Sequence, residues 1–211
     1  RQYLVMELLD GVSFDRFLHQ LGPLAPQAAL PLLSSVARAL EAAHAAGIIH
    51  RDLKPENVFL VFEDDGTVRT KLLDFGIAKQ VGEGAAGQGA HRTRTGIPLG
   101  TPLFMSPEQC RGVPVDRRSD VYSLGVMTFE ALTGRLPFEA PVVMDLMLQH
   151  LSSQPPLPSQ VRPELGEAFD GPVLHMLAKA PEGRPETAGL AVEELYAAAA
   201  SAGLAIPSGE P

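Results

Sequence analysis

The chain has 211 residues, of which 45% are hydrophobic and 20% charged, and its formal net charge is −8. The hydrophobic share is too high for a disordered protein, and the length suffices for one domain with a core. The acidic balance predicts no nucleic-acid partner, because no basic surface is available to follow a phosphate backbone. Cys110, the single cysteine, excludes an intramolecular disulfide and a cysteine-rich zinc site, and it fits a reducing compartment.

The sequence predicts no membrane span. The longest run without Asp, Glu, Lys or Arg, residues 17–37, is interrupted by three prolines, whereas a bilayer-spanning helix needs about 20 mostly apolar residues. The chain does not begin with Met, and its first residues are typical of a strand already under way, which indicates a fragment. We expect a cytoplasmic protein and leave open a membrane anchor beyond Pro211.

Local patterns predict a fold that is mainly α with a few short β strands. Helices are expected where apolar residues recur at helical spacing between cap residues and glycines, and strands where short apolar runs end in turn residues. The elements predicted for the first half are a strand over 3–6, a helix from its cap Ser13 to about Leu21, a helix over 26–46, and two strands over 58–62 and 68–73 joined by the turn 63–66.

Further along the chain, four glycines between 82 and 90 predict a mobile loop. Ser119 is expected to cap a helix over 120–133, which is apolar on nearly all faces and therefore predicted to be buried. The remaining predicted segments are helices near 142–151, 169–178 and 187–200, a proline-rich connection around 155–163, and a linker-like tail over 201–211.

Three motifs carry the chemistry. The octapeptide HRDLKPEN occupies residues 50–57, and it is followed by DFG at 74–76 and SPE at 106–108. With the segment SDVYSLG from Ser119 and with Arg184 before the last helix, these motifs resemble the C-terminal lobe of a protein kinase of the bacterial Ser/Thr type. The resemblance covers residues 1–200 and implies an α+β kinase-like lobe that includes the hinge.

Phosphoryl transfer explains why these residue types occur together, since it requires positioning and charge stabilisation. Asp52 is expected to orient the substrate hydroxyl and accept its proton, and Lys54 to place a cation near the transferred group. Asn57 and Asp74 offer hard oxygen ligands for Mg²⁺ bridging the phosphates of ATP. By resemblance, Thr101 contacts Asp52 and Lys54 and is counted with the catalytic residues.

The resemblance also implies a nucleotide site at the start of the chain. Met6 is expected at the gate of the adenine pocket, the backbone of Glu7 and Leu9 at the adenine edge, and Phe59 on the pocket floor. ATP and Mg²⁺ are the expected cofactors, and Lys54, Asn57 and Asp74 are counted among their ligands. The expected partner is a protein substrate with Ser or Thr, and a dimer for autophosphorylation is left open.

Other residues are expected, by resemblance, to support or regulate this site. His50 is expected to pack near Phe75, Gly76 to let Asp74 swing, and Asp120 to hold the catalytic loop. The remaining residues of this group are Glu108 and Arg184, expected to form a buried ion pair, and Arg51, expected to bind a phosphate on Thr93 or Thr95.

Two hypotheses of different classes follow. The first is an active Ser/Thr kinase seen as its C-terminal lobe, and the second is a non-catalytic kinase-like interaction module. Intact Asp52, Lys54, Asn57 and Asp74 favour the first, because a scaffold has no chemical need for all four. Small-molecule phosphotransferases are disfavoured, since they usually lack this loop and the SPE motif. The glycines at 82, 84 and 87 have the spacing G-x-G-x-x-G, but they follow the DFG motif, whereas the family's phosphate loop precedes the hinge. The fragment alone is therefore expected to be inactive.

Overall fold

The computed structural model describes residues 7–63, 67–74 and 102–206. The predicted strand over 3–6, the centre of the turn 63–66 and the predicted glycine-rich loop lie outside these residues. The site residues predicted from the sequence that also lie outside them are Met6, Phe75, Gly76, Thr93, Thr95 and Thr101.

Helices dominate the described residues, which confirms the predicted fold class. The strands are β1 (Val12–Ser13), β2 (Val58–Phe62) and β3 (Val68–Leu72), and the helices are α1 (Phe14–Leu21), α2 (Pro26–Ala45), α3 (Pro107–Arg111), α4 (Arg117–Thr133), α5 (Val143–Ser152), α6 (Pro158–Val161), α7 (Asp170–Met176) and α8 (Ala188–Ser201). Short 3₁₀ turns occupy Pro55–Asn57, Pro163–Leu165, Glu167–Phe169 and Pro181–Gly183. None of the helices described has the length and apolar character needed to cross a membrane.

The N-terminal caps of two helices can be compared with those expected from the sequence. The hydroxyl of Ser13 accepts the backbone N–H of Arg16 and begins α1, as predicted. The prediction that Ser119 caps the long buried helix is wrong, because α4 begins earlier, where the carboxylate of Asp116 accepts the backbone N–H of Arg118 at 2.8 Å. Ser119 lies inside the helix, and its hydroxyl donates to Glu108 instead.

Helix α3 was not predicted, although its start has a sequence signature. The backbone N–H of Ser106 donates to the Oε1 atom of Gln109 at 2.9 Å, and the Ser106 hydroxyl accepts the backbone N–H of Gln109 at 3.4 Å. This reciprocal pair is a capping box, and Pro107 occupies the first helical position, where its missing N–H costs nothing. The pattern S-P-x-Q is therefore a local signature from which this short helix could have been predicted.

The core is built around α4, which packs against α2, α6, α7 and α8. Its apolar side chains are buried on every face, as the apolar pattern predicts; these are Val121, Tyr122, Leu124, Val126, Met127, Phe129, Ala131 and Leu132. A helix that is buried all round can hold polar groups at fixed positions, because its own backbone is fully hydrogen-bonded and its neighbours are close-packed.

A three-stranded antiparallel sheet in the order β1-β2-β3 lies beside the helices. Leu60 pairs with Val12 on one side and with Thr70 on the other. Close approach at Gly11 sets the entry into β1, because a Cβ atom there would lie 2.0 Å from the carbonyl oxygen of Leu60. The hydroxyl of Thr70 donates to that of Ser35 at 2.6 Å and joins β3 to α2.

The described part of the tail differs from the sequence prediction. Helix α8 extends to Ser201, and the partly buried side chains of Leu204 and Ile206 pack against the core. The predicted linker-like tail thus differs from the structure at these two positions, where packing removes apolar surface from water.

The contact between α4 and α7 provides a test of packing. A Cβ atom on Gly125 would lie 2.7 Å from the Cβ atom of Met176, whereas one on Gly171 meets nothing within 4 Å. We expect Gly125→Ala to lower the free energy of unfolding by about 1–3 kcal/mol through overpacking. Gly171→Ala, the matched control, should leave it unchanged or raise it by up to about 1 kcal/mol. The midpoints of denaturant unfolding, compared at constant slope, measure the change in stability of both variants. Equal midpoints for the two variants would contradict the close contact between α4 and α7 at Gly125.

Candidate active site

Two side chains of the loop between α2 and β2 converge on one carboxylate of the same loop. The amide nitrogen of Asn57 donates to the backbone carbonyl of Asp52 at 2.8 Å and to its Oδ2 atom at 3.2 Å. The Lys54 ammonium lies 3.2 Å from the same Oδ2 atom. Asn57 is buried in the 3₁₀ turn that Pro55 begins, while the side chains of Asp52 and Lys54 are 31% and 35% exposed. The loop thus presents an oriented carboxylate and a cation to solvent.

The end of β3 brings a second carboxylate towards this loop. The backbone N–H of Leu73 donates to the carbonyl of Asn57 at 2.8 Å, so the next residue, Asp74, is carried to the side of Asn57. Asp74 is exposed and has a left-handed backbone, with φ of 49°, a conformation that Asp adopts more readily than most residues. The 17-residue separation of Asn57 and Asp74 is therefore spanned by the β2–β3 hairpin, as the sequence predicts.

The backbone of the loop is strained at Arg51, whose φ is 64°. A left-handed conformation costs a non-glycine residue roughly 1–2 kcal/mol. Hydrogen bonds on both sides of the residue offset this cost: its N–H donates to the Oδ1 atom of Asp120 at 2.9 Å, and its carbonyl accepts the Nε2 atom of Gln109 at 2.6 Å. Gln109 thus connects α3 to the loop between α2 and β2, a contact that the sequence did not reveal.

Asp120 is the anchor of the loop. It is 1% exposed, and its Oδ2 atom accepts both the backbone N–H of His50 at 2.8 Å and the ring Nε2–H of His44 at 2.7 Å. Together with the bond from Arg51, these donors satisfy a buried carboxylate that would otherwise be costly. His44 lies in the last turn of α2, where the sequence gives a histidine no special role, so its contact was not predicted.

His50 is fully buried and acts as a bridge. Its Nδ1 atom accepts the backbone N–H of Asp52 at 3.3 Å, so its Nε2 atom carries the proton and donates to the carbonyl of Leu73 at 3.1 Å. Burial lowers the pKa of His50 below 6.5, although the negative charge of Asp120 opposes this. A neutral imidazole that joins the loop to the end of β3 fits a supporting role, while its expected neighbour Phe75 lies outside the described residues.

Glu108 and Arg184 form a buried ion pair that ties α3 to the rest of the lobe. Two guanidinium nitrogens donate to the two carboxylate oxygens at 2.7 and 2.9 Å, and the Ser119 hydroxyl donates to Glu108 as well. Burial raises the pKa of Glu108, but hydrogen bonds from Arg184 and Ser119 outweigh it and lower the pKa below 4.5. The other guanidinium contacts are with the carbonyls of Ala178, Lys179 and Arg118 and with the ring of Tyr122.

Glu130 on α4 is a titratable residue that sequence reasoning missed. Burial, followed by the negative charges of Asp15, Glu56 and Glu139, raises its pKa to about 7. Its Oε2 atom has no hydrogen-bond partner among the described residues. Glu56 belongs to the loop between α2 and β2, so the negative charge of that loop acts on Glu130, and no periodic pattern in the sequence reveals this coupling.

The residues expected at the adenine edge lie near the sheet. Glu7 and Leu9 precede β1, and β1 pairs with β2, which carries Phe59. Leu9 and Phe59 are half-buried, and Lys71 on β3 forms an ion pair with the exposed Glu7. Phe59 thus lies on β2, opposite Ser13 of β1, while Glu7 and Leu9 lie in the segment that leads into β1.

The donor set of the loop fits magnesium better than a transition metal. Within the described ranges, no three His, Cys, Asp or Glu side chains form a metal cluster. Asn57 and Asp74 supply one amide oxygen and one carboxylate, which are hard ligands of the kind Mg²⁺ takes together with phosphate oxygens and water. Softer metals would require imidazole or thiolate groups, and the chain's single thiol, Cys110, has its pKa raised to about 11 by burial.

Comparison with known proteins agrees with this geometry. A family model described as the protein kinase domain matches residues 1–196. The chain belongs to the protein kinase family. This kinase chain is 45% identical over 184 residues to the serine/threonine-protein kinase Pkn1 of Myxococcus xanthus and 41% identical over 186 residues to PknB of Mycobacterium tuberculosis. These relatives identify it as a kinase of the bacterial Ser/Thr type.

The chain spans only part of these relatives. The matched regions cover 87% and 88% of this chain but 26% of Pkn1 and 28% of PknB. The crystal structure of the Mycobacterium tuberculosis PknI kinase domain superposes with a TM-score of 0.68 at 27% identity. That match covers 92% of this chain and 64% of the PknI chain, and it confirms a kinase fold.

The Glu108–Arg184 pair yields a test on stability. We expect Arg184→Met to lower the free energy of unfolding by about 3–5 kcal/mol, because it leaves the carboxylate of Glu108 buried without its cation. Arg117→Met is the matched control, since Arg117 forms an exposed ion pair with Glu186 and should cost at most about 1 kcal/mol. Equal losses in urea unfolding would show that the buried pair contributes no more than the exposed one.

The pH dependence of the unfolding free energy provides a second test of the Glu108–Arg184 pair. In the wild type the pKa of Glu108 is lowered by folding. Its contribution to stability is therefore fully present above pH 4.5 and is lost as the pH falls through the folded-state pKa. In Arg184→Met, burial acts on Glu108 without the opposing guanidinium and raises its pKa, so the variant should recover stability relative to wild type as the pH falls from 7 towards 4. A stability difference that stays constant over this range would contradict the assignment.

Proposed function

We propose that this chain carries the catalytic loop of a kinase that transfers the γ-phosphoryl group of ATP to Ser and Thr hydroxyls of proteins. The observation that carries the proposal is the convergence of Lys54 and Asn57 on Asp52, with Asp74 delivered to the same side by the hydrogen bond between Leu73 and Asn57. Relatives named Ser/Thr-protein kinases, at 40–45% identity, support it.

In this mechanism Asp52 receives the substrate hydroxyl. The amide of Asn57 orients the carboxylate, so that one oxygen can accept the hydroxyl proton while the hydroxyl oxygen attacks the γ-phosphorus and ADP leaves. Lys54 supplies positive charge beside the transferred group. Bound Mg²⁺, held by Asn57 and Asp74, would neutralise charge on the phosphates. Thr101 is proposed to contact Asp52 and Lys54, and Met6 to line the adenine pocket; both lie outside the described residues.

Regulation is proposed to act through Arg51. Its Nε atom is buried and has no hydrogen-bond partner among the described residues, so the guanidinium retains donor capacity. A phosphate on Thr93 or Thr95, which lie outside the described residues, would bring about −1.5 to −2 charge and accept one to three charge-assisted hydrogen bonds. Such pairing would order a short part of the segment between Asp74 and Glu108.

The second candidate function is a non-catalytic interaction module with a kinase fold. Such a module needs the anchors, Asp120 and the Glu108–Arg184 pair, to keep its shape. Its shape does not require a cation and an amide on the partly exposed carboxylate of Asp52. Catalysis is therefore the better-supported proposal.

We expect Asp52→Asn to abolish phosphoryl transfer while leaving ATP affinity nearly unchanged, because Asp52 contacts the hydroxyl and not the nucleotide. Asp74→Asn should instead weaken Mg·ATP binding, since it removes a charged metal ligand. Both variants are to be made in the protein that extends this chain with the rest of its kinase domain, and compared by radiolabel transfer and nucleotide titration.

Two results would contradict these assignments. Undiminished turnover in Asp52→Asn would remove the proposed base, and unchanged Mg·ATP affinity in Asp74→Asn would misplace the metal. The 211-residue chain alone serves as a control: its only G-x-G-x-x-G, at 82–87, follows the DFG motif, so without a phosphate loop before the hinge it is expected to bind ATP weakly and transfer no phosphate. Turnover by this chain on the order of 1–100 s⁻¹, an ordinary kinase rate, would contradict that expectation.

The regulatory proposal has its own test. In the active extended protein we expect mass spectrometry to find phosphate on Thr93 or Thr95, and the double variant Thr93→Ala/Thr95→Ala to lose most activity. Arg51→Lys is the matched change on the other partner, because lysine keeps the charge but loses the forked donors. Full activity in the double variant, or unphosphorylated threonines in active enzyme, would assign Arg51 to another purpose.

A further inference from the structure

The side-chain amide of Gln109, on helix α3, forms a hydrogen bond at each of its two ends. Its Oε1 atom accepts the backbone N–H of Ser106 at 2.9 Å, and its Nε2 atom donates to the backbone carbonyl of Arg51 at 2.6 Å. Because an N–H can only donate and a carbonyl can only accept, these partners allow one orientation of the amide. One half-buried side chain therefore joins the start of α3 to a residue that lies 58 positions earlier in the chain.

The carbonyl that Gln109 binds belongs to the peptide between Arg51 and Asp52. A peptide is planar, so the direction of its carbonyl also sets the direction of its N–H and of the bond to the next Cα atom. The N–H of this peptide donates to the Nδ1 atom of His50 at 3.3 Å. The peptide is thus held at both ends, by Gln109 on its oxygen and by His50 on its nitrogen.

Arg51 requires such support because its backbone is left-handed, with φ of 64°. This conformation is disfavoured for a residue with a Cβ atom, so the peptide would relax towards an ordinary conformation if its contacts were removed. Asp120 accepts the N–H on the N-terminal side of Arg51. Gln109 binds the C-terminal side, from which the chain continues directly to the carboxylate of Asp52.

Helix α3 is itself fixed, so Gln109 can act as a support. The capping box of Ser106 and Gln109 closes the first turn of the helix. The neighbouring residue, Glu108, is 3% exposed and forms the buried ion pair with Arg184. The position of Gln109 is therefore set by the contacts of α3 and not by the loop that its Nε2 atom reaches.

We propose that Gln109 is a positioning residue for phosphoryl transfer. It holds the peptide before Asp52 in the orientation that brings the carboxylate to Lys54 and Asn57, and it couples this arrangement to the placement of helix α3. The effect on transfer rests on the function proposed above, whereas the contact with Arg51 does not. Gln109 acts through the peptide and touches neither hydroxyl nor nucleotide, so its loss affects turnover and not the binding of ATP.

The variant Gln109→Glu separates the two ends of the amide. A carboxylate still accepts the N–H of Ser106, and Glu is the other residue favoured at this position of a capping box, so α3 should form. The carboxylate has no hydrogen for the carbonyl of Arg51, and two acceptors then face each other. In the protein that extends this chain with the rest of its kinase domain, we expect kcat to fall roughly ten- to a hundredfold, the usual effect of an unsatisfied acceptor, with KM for Mg·ATP unchanged.

Gln160→Glu is the matched control. Gln160 occupies the same position of helix α6, two residues after Pro158, and its Oε1 atom accepts the backbone N–H of Leu157 at 3.4 Å. This side chain is exposed, so the same change from amide to acid should leave kcat and KM unchanged. Gln109→Met removes the donor without adding a charge, and it should lower kcat in the same way as Gln109→Glu. All rates are compared at a temperature at which circular dichroism shows each variant to be folded.

Hydrogen exchange provides a readout that does not require activity. Peptides that cover residues 50–57 should exchange faster in Gln109→Glu and Gln109→Met than in the wild type or in Gln160→Glu, while those of α4 should not change. If the wild type transfers no phosphate, the proposed function fails, and exchange alone decides the positioning role.

Three results would contradict the role of Gln109. The first is an undiminished kcat in both variants of an active wild type, and the second is a loss of activity that matches the loss of folded protein or appears in KM for Mg·ATP alone. The third is unchanged exchange in the loop. If Gln109→Glu fails to fold, Gln109→Met decides by the same measurements.

Discussion

A carboxylate at the start of a buried helix determines where the loop between α2 and β2, the proposed catalytic loop, lies. The loop between α2 and β2 has little regular structure, so its buried backbone N–H groups need acceptors from elsewhere. Asp120 supplies them to two consecutive residues, His50 and Arg51, and His44 holds the same carboxylate from the other side. Because Arg51 is thereby kept in a left-handed conformation, the chain turns sharply before Asp52, whose side chain meets Asn57 and Lys54.

The same helix also fixes the segment that follows the undescribed residues before 102. Ser119 donates to Glu108, and Ser123 donates to the carbonyl of Phe104 at 2.7 Å. Gln109 then reaches back to the carbonyl of Arg51, so that helix α3 and the catalytic loop are joined directly. One rigid helix thus positions two segments that are far apart in sequence, and a displacement of either one would be opposed by hydrogen bonds to α4 or between the two segments.

The sequence predicted those features that depend on local patterns or on a long motif. The helix after Ser13 and the two strands of the hairpin follow from caps and apolar runs, and the order of the motifs indicated the family. Contacts between distant residues were accessible only where the family resemblance implied them, as for Glu108 with Arg184. His44, Gln109 and the environment of Glu130 depend on which surfaces α4 buries, and no local pattern encodes that. The choice of Asp116 over Ser119 as the cap depended on a tertiary contact too, because the Ser119 hydroxyl is used by Glu108.

The charged groups of the lobe divide into two kinds by their exposure to water. Asp120 and Glu108 are almost fully buried, and each accepts several hydrogen bonds, so each is held in place and has no capacity for chemistry. Asp52, Lys54 and Asp74 remain partly or fully exposed, where an ionised group keeps its hydration and can exchange a water molecule for a substrate or a metal. Burying Asp52 as deeply as Asp120 would fix it more firmly, but it would then require a permanent partner. The lobe avoids this conflict by placing a saturated carboxylate behind the loop and a partly exposed one, the proposed base, in front of it, with Arg51 between them.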